Sequence, residues 1–133
     1  MPMKDRTLAD TLLRAKKTFP AIVVTGPRQS GKTTLLKYLF QDSFNFVSLE
    51  KPAVRLLARN DPEGFLEQFP QPLIIDEIQY APDLLSYIKD QIDENRRPGR
   101  WILTGSQNFA LMQGVSQSLA GRAAVFSIGQ LEF

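Results

Sequence analysis

Residues 26–33 of this sequence read Gly-Pro-Arg-Gln-Ser-Gly-Lys-Thr and follow an apolar segment at residues 21–24. Consecutive backbone N–H groups can converge on a phosphate chain only where side chains do not obstruct its approach, and glycine at positions 26 and 31 meets that need. The Lys32 ammonium would neutralise β- and γ-phosphate charge, and the Thr33 hydroxyl is an oxygen ligand suited to Mg²⁺. This order of residues indicates a loop that binds the phosphates of a nucleotide.

The same segment matches the P-loop pattern G-x-x-x-x-G-K-[ST] at every constrained position. A helically spaced apolar segment follows at residues 35–40. The loop should therefore open onto a helix N-terminus, where unpaired N–H groups and the helix dipole favour an anion. An ordinary strand-to-helix turn would leave the joint spacing unexplained. The predicted nucleotide-binding residues are Gly26, Pro27, Arg28, Gln29, Ser30, Gly31, Lys32, Thr33 and Thr34.

A second segment, Leu-Ile-Ile-Asp-Glu-Ile at residues 73–78, is an apolar run that leads into two acids. Such a run is typical of a central parallel strand that is covered on both faces, and its acidic end should lie at the edge of the sheet. We predict that Asp76 accepts hydrogen bonds from water bound to Mg²⁺. Glu77 would orient and polarise the water that attacks the γ-phosphate. Alone, the segment could equally be a strand whose aspartate caps the next helix.

A third segment, Trp-Ile-Leu-Thr-Gly-Ser at residues 101–106, is an apolar strand that ends in hydroxyls. If it lies between the first strand and the Asp76 strand, Thr104 or Ser106 would point toward the γ-phosphate, and Gln107 is a further candidate. Helix capping by the hydroxyl is the alternative. Arg122 could reach phosphate from this subunit or a neighbour, or form a surface salt bridge. The predicted catalytic residues are Lys32, Glu77, Ser106 and Arg122.

Alternating strands and helices must position these segments. The hydrophobic periodicity predicts strands at residues 21–24, 45–50, 73–78, 101–106 and 123–128, and helices at residues 7–19, 32–40, 52–59, 62–69, 83–94 and 109–119. Thr7 and Asp10 have the form of a capping box for the first helix. The alternation implies a parallel sheet with right-handed crossovers, hence a three-layer α/β domain in which ligands bind beyond the carboxyl ends of the strands.

Composition narrows the class of protein. The 133 residues carry a net charge of +2 with 43% apolar and 23% charged residues, values typical of one soluble globular domain. The chain has no Cys and no His, so any metal must bind through oxygen. It shows neither a signal-peptide pattern nor an apolar run of 18 residues, and we expect a cytoplasmic protein with no membrane partner. The basic residues Arg96, Arg97 and Arg100 are predicted to lie in a solvated loop, because no aromatic residues interleave with them as in a nucleic-acid patch.

Five segments together resemble a prokaryotic family of AAA-type P-loop ATPases, and the likeness covers nearly the whole chain. Many P-loop ATPases share the segments at residues 26–34 and 73–78, so the resemblance to this family rests on Leu-Thr-Gly-Ser and Leu-Ala-Gly-Arg. It implies a P-loop NTPase fold whose five-stranded parallel sheet has the order 5-1-4-3-2, ATP with Mg²⁺, a sensor role for residues 104–106 and an arginine role for Arg122. The segments lie at residues 26–34, 49–50, 73–78, 103–106 and 119–122.

The resemblance also implies a longer protein. In the family, a nuclease-like domain of unknown function often follows this domain, and the family pattern would continue beyond residue 133. We therefore expect residues 1–133 to be an N-terminal ATPase domain without its helical lid or C-terminal domain. The implied partners are ATP, further copies of the chain in a homo-oligomer, and nucleic acid through the missing domain.

The leading functional prediction is ATP hydrolysis that drives a process carried out elsewhere. GTP is disfavoured because no Asn-Lys-x-Asp guanine-binding sequence follows. One alternative is a small P-loop phosphotransferase, in which Asp76 or Glu77 would take a proton from a substrate hydroxyl; it would need a lid and an acceptor pocket. The other is a nucleotide-gated binding or DNA-contact module with little turnover.

Overall fold

A computed structural model describes residues 3–27 and 30–129 of the chain. Strands and helices alternate along most of its length, and a short 3₁₀ turn at Ile78–Tyr80 follows the third strand. The strands are β1 Ala21–Thr25, β2 Asn45–Ser48, β3 Leu73–Asp76, β4 Trp101–Gly105 and β5 Ala123–Ser127. The helices are α1 Met3–Thr18, α2 Lys32–Phe40, α3 Pro52–Asn60, α4 Pro62–Gln68, α5 Leu84–Glu94 and α6 Phe109–Leu119.

All five strands are parallel and form one sheet in the order β2-β3-β4-β1-β5. This is the predicted order 5-1-4-3-2 counted from the other edge, so the prediction is confirmed. Strand β4 lies between β1 and β3. The predicted role of Thr104 or Ser106 depended on this position. In this register Thr25 is opposite Gly105, and Ser48 is opposite Asp76. The carboxyl ends of β1, β2, β3 and β4 therefore lie side by side.

Helices cover both faces of the sheet, which explains why its central strands are continuous apolar runs. Successive side chains of a strand point to opposite faces. Ile22 and Val24 belong to the cluster packed with α1 and α2, whereas Ala21 and Val23 belong to the cluster packed with α3 to α6. The result is the predicted three-layer α/β arrangement. Among the described helices, none is both long enough and apolar enough to cross a membrane.

Several predicted element boundaries differ from the structure, among them the end of β2 at Ser48, and two of the differences have identifiable reasons. Helix α1 begins at Met3, so Thr7 lies inside it and does not start a capping box. Strand β3 ends at Asp76, two residues earlier than predicted, because Glu77 adopts a left-handed backbone conformation with φ 62° and ψ 53°. The Glu77 N–H donates to the Thr104 hydroxyl at 3.0 Å, a side-chain acceptor on β4 that replaces a ladder partner.

Candidate active site

The loop between β1 and α2 depends on glycine at two positions. Gly31 has φ 88°, in the left-handed region that favours glycine. A Cβ on Gly26 would lie 2.5 Å from the Ile128 carbonyl oxygen, so no side chain fits there. The Gly26 N–H also donates to the Gly105 carbonyl at 3.1 Å, which joins the loop to the end of β4. Arg28 and Gln29, two of the predicted binding residues, lie outside the described residues.

Lys32 is the first residue of α2 and is only 3% exposed. Its ammonium donates to the Pro27 carbonyl at 3.2 Å and lies 3.5 Å from Glu77 Oε1. A buried ammonium must have partners because desolvation is costly. A phosphate oxygen could replace either of these two contacts. The side chain is therefore held close to the loop without a ligand.

Three hydroxyl groups from three different elements surround the Asp76 carboxylate. Thr33 and Thr104 donate to Oδ1 at 2.8 and 2.7 Å, and Ser48 donates to Oδ2 at 2.9 Å. The Ser48 oxygen in turn accepts from the Glu50 N–H at 3.2 Å. These contacts fix the carboxylate beside the first turn of α2. The sequence patterns identified Thr33 and Asp76, but Ser48 could not be distinguished from any other strand serine.

Glu77 lies next to Asp76 and is 4% exposed. Its left-handed conformation is uncommon outside glycine and turns the side chain away from the strand alternation. Oε1 faces the Lys32 ammonium, and Oε2 accepts from Gln79 Nε2 at 2.5 Å. Glu77 is thus a buried carboxylate in which one oxygen contacts Lys32 and the other contacts Gln79.

A cleft of about 320 Å³ lies between the loop and the ends of β2 and β3. The described residues Gly26 and Pro27 do not line it. Ser30, one of the lining residues, has a buried hydroxyl with no hydrogen-bond partner in the described part of the chain. Glu50 is a lining residue that the catalytic prediction did not include; its signal was an acid at the end of a predicted strand. The lining residues are Ser30, Gly31, Lys32, Thr33, Thr34, Glu50, Asp76 and Glu77.

The structure does not place Ser106 on the cleft wall. Its hydroxyl accepts from Asn108 Nδ2 at 3.0 Å, and its N–H donates to Gln79 Oε1 at 3.2 Å. The β4 hydroxyl that contacts the acidic pair is Thr104, which donates to Asp76 and accepts from Glu77. Of the two hydroxyls that the sequence left open, Thr104 is therefore the nearer to the acids.

Arg122 lies directly before β5, at the amino ends of the strands. This side of the sheet is opposite to the carboxyl ends, where the cleft lies. Its carbonyl accepts from the Ala21 N–H at the amino end of β1. Its guanidinium donates to Asp93 Oδ1 at 2.7 Å and Oδ2 at 3.0 Å. These bonds raise the pKa of Arg122 and lower the pKa of Asp93 to about 2. The structure does not bring Arg122 to the cleft of its own subunit, and the surface salt bridge that the sequence also allowed is present.

Arg100 corrects the expectation of a solvated basic loop. Arg96 and Arg97 are exposed, but Arg100 is 8% exposed at the start of β4. Its guanidinium donates to Gln71 Oε1 and to the carbonyls of Gln91 and Asn95 at the end of α5. Burial lowers the pKa of Arg100. The side chain therefore has a structural role at the amino edge of the sheet.

The sheet order and the glycine loop at the end of β1 define a P-loop NTPase domain, a class that binds nucleotides. The fold is similar to the P-loop NTPase domain of the sigma-54 transport activator from E. coli, with a TM-score of 0.59, 16% identity, and 92% and 94% of the two chains covered. It is also similar to the DnaC helicase loader, with a TM-score of 0.52, 14% identity, and 95% and 86% covered.

Within that class, residues 18–133 match a family of AAA domains, and the chain belongs to this family. Two curated relatives are 32% identical over 138 residues: the uncharacterized proteins Rv2008c of Mycobacterium tuberculosis and Mb2031c of Mycobacterium bovis. The match covers 98% of this chain and 30% of each relative. The chain therefore spans about a third of the length of these relatives.

Proposed function

We propose that this AAA domain binds ATP with Mg²⁺ and hydrolyses the bond to the γ-phosphate. The observation that carries the proposal is the convergence of Lys32, Thr33, Asp76 and Glu77 on one cleft at the N-terminus of α2. A phosphate chain in this cleft would meet the loop amides, the helix dipole and the Lys32 ammonium. Lys32 would exchange its Pro27 and Glu77 contacts for phosphate oxygens.

The oxygen donors at the cleft fit Mg²⁺. The Thr33 hydroxyl and the Asp76 carboxylate are in contact at 2.8 Å, and a hard cation prefers such ligands. No group of three Asp, Glu, His or Cys residues suited to a metal occurs in the described ranges. The phosphates and water would therefore complete the ligand set, as is usual for this ion. Bound Mg²⁺ would supply positive charge that stabilises the transferring phosphate.

The proposed chemical step is attack of water on the γ-phosphorus. The new bond joins the water oxygen to phosphorus, the bond from phosphorus to the bridging oxygen breaks, and ADP leaves. Glu77 accepts the proton of the attacking water as general base. The buried position of its carboxylate, 4% exposed at the cleft, supports this role. The loop amides and Lys32 stabilise the charge that develops on the phosphate oxygens.

We also propose that hydrolysis is coupled to segments beyond this domain, in a cytoplasmic protein that works as a homo-oligomer. Support comes from the length of the relatives, of which the chain covers 30%. Residues 1–133 would then be the ATPase part of a longer protein, with nucleic acid as a partner of the remaining part.

Titration calorimetry and a phosphate-release assay test the proposal on the wild-type chain. Lys32→Ala should weaken Mg·ATP binding about 100-fold or more, because a buried charged contact is lost. Glu77→Gln should bind normally and lose about 10²- to 10⁴-fold in turnover. Lys37→Ala, which removes an exposed lysine of the same helix, is the matched control. Equal Mg·ATP affinity in the wild type and Lys32→Ala would overturn the proposal.

The same assays distinguish the two other functions that the sequence allowed. Phosphate transfer to an added hydroxyl compound, with little release in its absence, would indicate a phosphotransferase. Tight Mg·ATP binding with no release under any condition, also when further segments of the longer protein are present, would indicate a nucleotide-gated binding module.

A further inference from the structure

Gln79 lies in the 3₁₀ turn after β3, and its carboxamide bridges two parts of the site. Nε2 donates to Glu77 Oε2 at 2.5 Å, and Oε1 accepts from the Ser106 N–H at 3.2 Å. The first contact is to the acid on the cleft, and the second is to the segment that follows β4. We propose that Gln79 is the positioning residue that orients the Glu77 carboxylate and couples it to the end of β4. This inference rests on the proposed hydrolysis.

The chemistry of the two neighbours explains why a carboxamide is present. The Ser106 N–H can only donate, and the ionised Glu77 carboxylate can only accept. In a glutamine side chain the carboxamide oxygen accepts and the carboxamide nitrogen donates, so one group satisfies both partners at once. A glutamate at position 79 would offer only acceptors and would repel Glu77. A methionine would fill a similar volume without either hydrogen bond.

When a nucleotide binds, the orientation of Glu77 would depend more strongly on Gln79. Without ligand, the Glu77 carboxylate has two partners among the described residues, Lys32 on Oε1 and Gln79 on Oε2. When Lys32 turns to the phosphates, Gln79 remains as the donor that holds the carboxylate. A neutral amide fixes orientation and leaves the carboxylate charge in place. Oε1, released by Lys32, is then the atom that accepts the proton from water.

Gly105 provides the space that this arrangement requires. A Cβ at position 105 would lie 3.1 Å from Gln79 Oε1 and 2.7 Å from Leu111 Cδ2. A side chain there would press on the carboxamide at the point where it meets the Ser106 N–H. Glycine at position 105 therefore leaves room for both the carboxamide and Leu111.

The central experiment compares Gln79→Met, Gln79→Glu and the wild type in Mg·ATP binding and in steady-state turnover. In Gln79→Met we expect kcat to fall about 10- to 100-fold while the Kd for Mg·ATP stays within about two-fold, because the amide orients the base and does not touch the nucleotide. Gln79→Glu should lose at least as much. Gln117→Met, an exposed glutamine on α6, is the matched control. Parallel losses in Kd and kcat would show a merely structural role and overturn the inference.

A second measurement does not depend on activity. In ¹⁵N NMR spectra of the nucleotide-free protein, the Ser106 amide proton should move upfield in Gln79→Met, because it loses its acceptor. It should be unchanged in Gln117→Met. If Gln79→Met does not fold, Gln79→Leu carries both the NMR and the kcat test. An unmoved Ser106 resonance overturns the inference.

The two proposals fail in distinguishable ways. Failure of the wild type to bind or hydrolyse Mg·ATP would overturn the proposed function, and with it the role of Gln79 in catalysis. Normal hydrolysis by the wild type together with full turnover in Gln79→Met would overturn only the role of Gln79.

Discussion

At the carboxyl edge of the sheet, Lys32 and Glu77 are buried beside a cleft, with 3.5 Å between Nζ and Oε1. At the amino edge, Arg122 holds Asp93 through two hydrogen bonds of 2.7 and 3.0 Å in a more exposed position. The more exposed pair, Arg122 and Asp93, has the shorter contacts between its charged groups. The buried pair carries the larger desolvation cost and the looser contact.

This difference separates charges that stabilise the fold from charges that can bind a ligand. At the amino edge, Arg100 and Arg122 donate to carbonyls and to a carboxylate that belong to the protein itself. At the carboxyl edge, the partners of Lys32 are the Pro27 carbonyl and Glu77, and in the proposed function phosphate oxygens would replace them. Buried, imperfectly paired charges beside a cleft are typical of functional sites. Substitutions at the two edges should therefore affect different quantities.

Among the substitutions that compare the two edges, the largest effect is expected from Asp76→Asn at the carboxyl edge. The asparagine keeps an acceptor for the nearby hydroxyls but removes the charge that favours a divalent cation. We expect turnover to fall about 100-fold or more, and the gain in ATP affinity on adding Mg²⁺ to disappear. Calorimetry with Mg²⁺ and with EDTA measures that gain. Asp90→Asn, on an exposed part of α5, is the control. An unchanged magnesium dependence would remove Asp76 from the metal site.

The next largest effect is a loss of stability in Arg100→Met at the amino edge. The substitution leaves the carbonyls of Gln91 and Asn95 without their guanidinium donor at the end of α5. We expect the free energy of unfolding to fall by about 2 to 3 kcal/mol, with Mg·ATP affinity unchanged. Urea unfolding measures the first quantity. Arg97→Met, at an exposed neighbour, should cost far less. A loss of nucleotide affinity at constant stability would break the distinction between the edges.

A smaller effect is expected from Ser48→Ala, which removes one of the three hydroxyls on Asp76. Thr33 and Thr104 still donate to the other carboxylate oxygen. Stability should fall by roughly 1 kcal/mol, and turnover should fall several-fold because the carboxylate is less well fixed. Ser116→Ala, at an exposed position of α6, provides the control. Turnover equal to the wild type would show that the remaining hydroxyls suffice.

The smallest effect is expected from Arg122→Gln. The hydrogen bonds from Arg122, together with a smaller effect of Lys89, lower the pKa of Asp93 from its ordinary value of 3.8 to about 2. Since the pKa of this acid is depressed in the folded state, its stabilising contribution is present above about pH 4 and is lost as the pH falls toward about 2. The stability advantage of the wild type over Arg122→Gln should shrink across that interval in urea titrations. At neutral pH, turnover should stay within about two-fold; a ten-fold loss would indicate that Arg122 acts on a neighbouring subunit.

The sequence was sufficient for the residues whose chemistry depends on spacing along the chain. The segment from Gly26 to Thr33 and the acids Asp76 and Glu77 were predicted from local patterns, and the structure brings their described members to one edge. The sheet order came from the family resemblance and is confirmed. The end of β3 was predicted two residues too late, because no local pattern reveals that the Thr104 hydroxyl on β4 will accept the Glu77 N–H.

Other residues could be interpreted only in three dimensions. Arg100 and Arg122 look alike in the sequence, as basic residues directly before a strand, yet one is buried and the other forms an exposed ion pair. No sequence pattern around Gln79 indicates its proposed role. Its role depends on Glu77 and on Ser106, which is 27 residues away along the chain.

The amino-acid sequence by itself determined the alternation of strands and helices, the phosphate-binding loop and the acidic pair, because each depends on backbone preference and on neighbours within a few residues. Only the tertiary structure decided which hydroxyls hold Asp76, which donor holds Glu77 and where each arginine lies. Those contacts join strands that are distant in the chain, and they form only when the crossover connections bring β4 between β1 and β3.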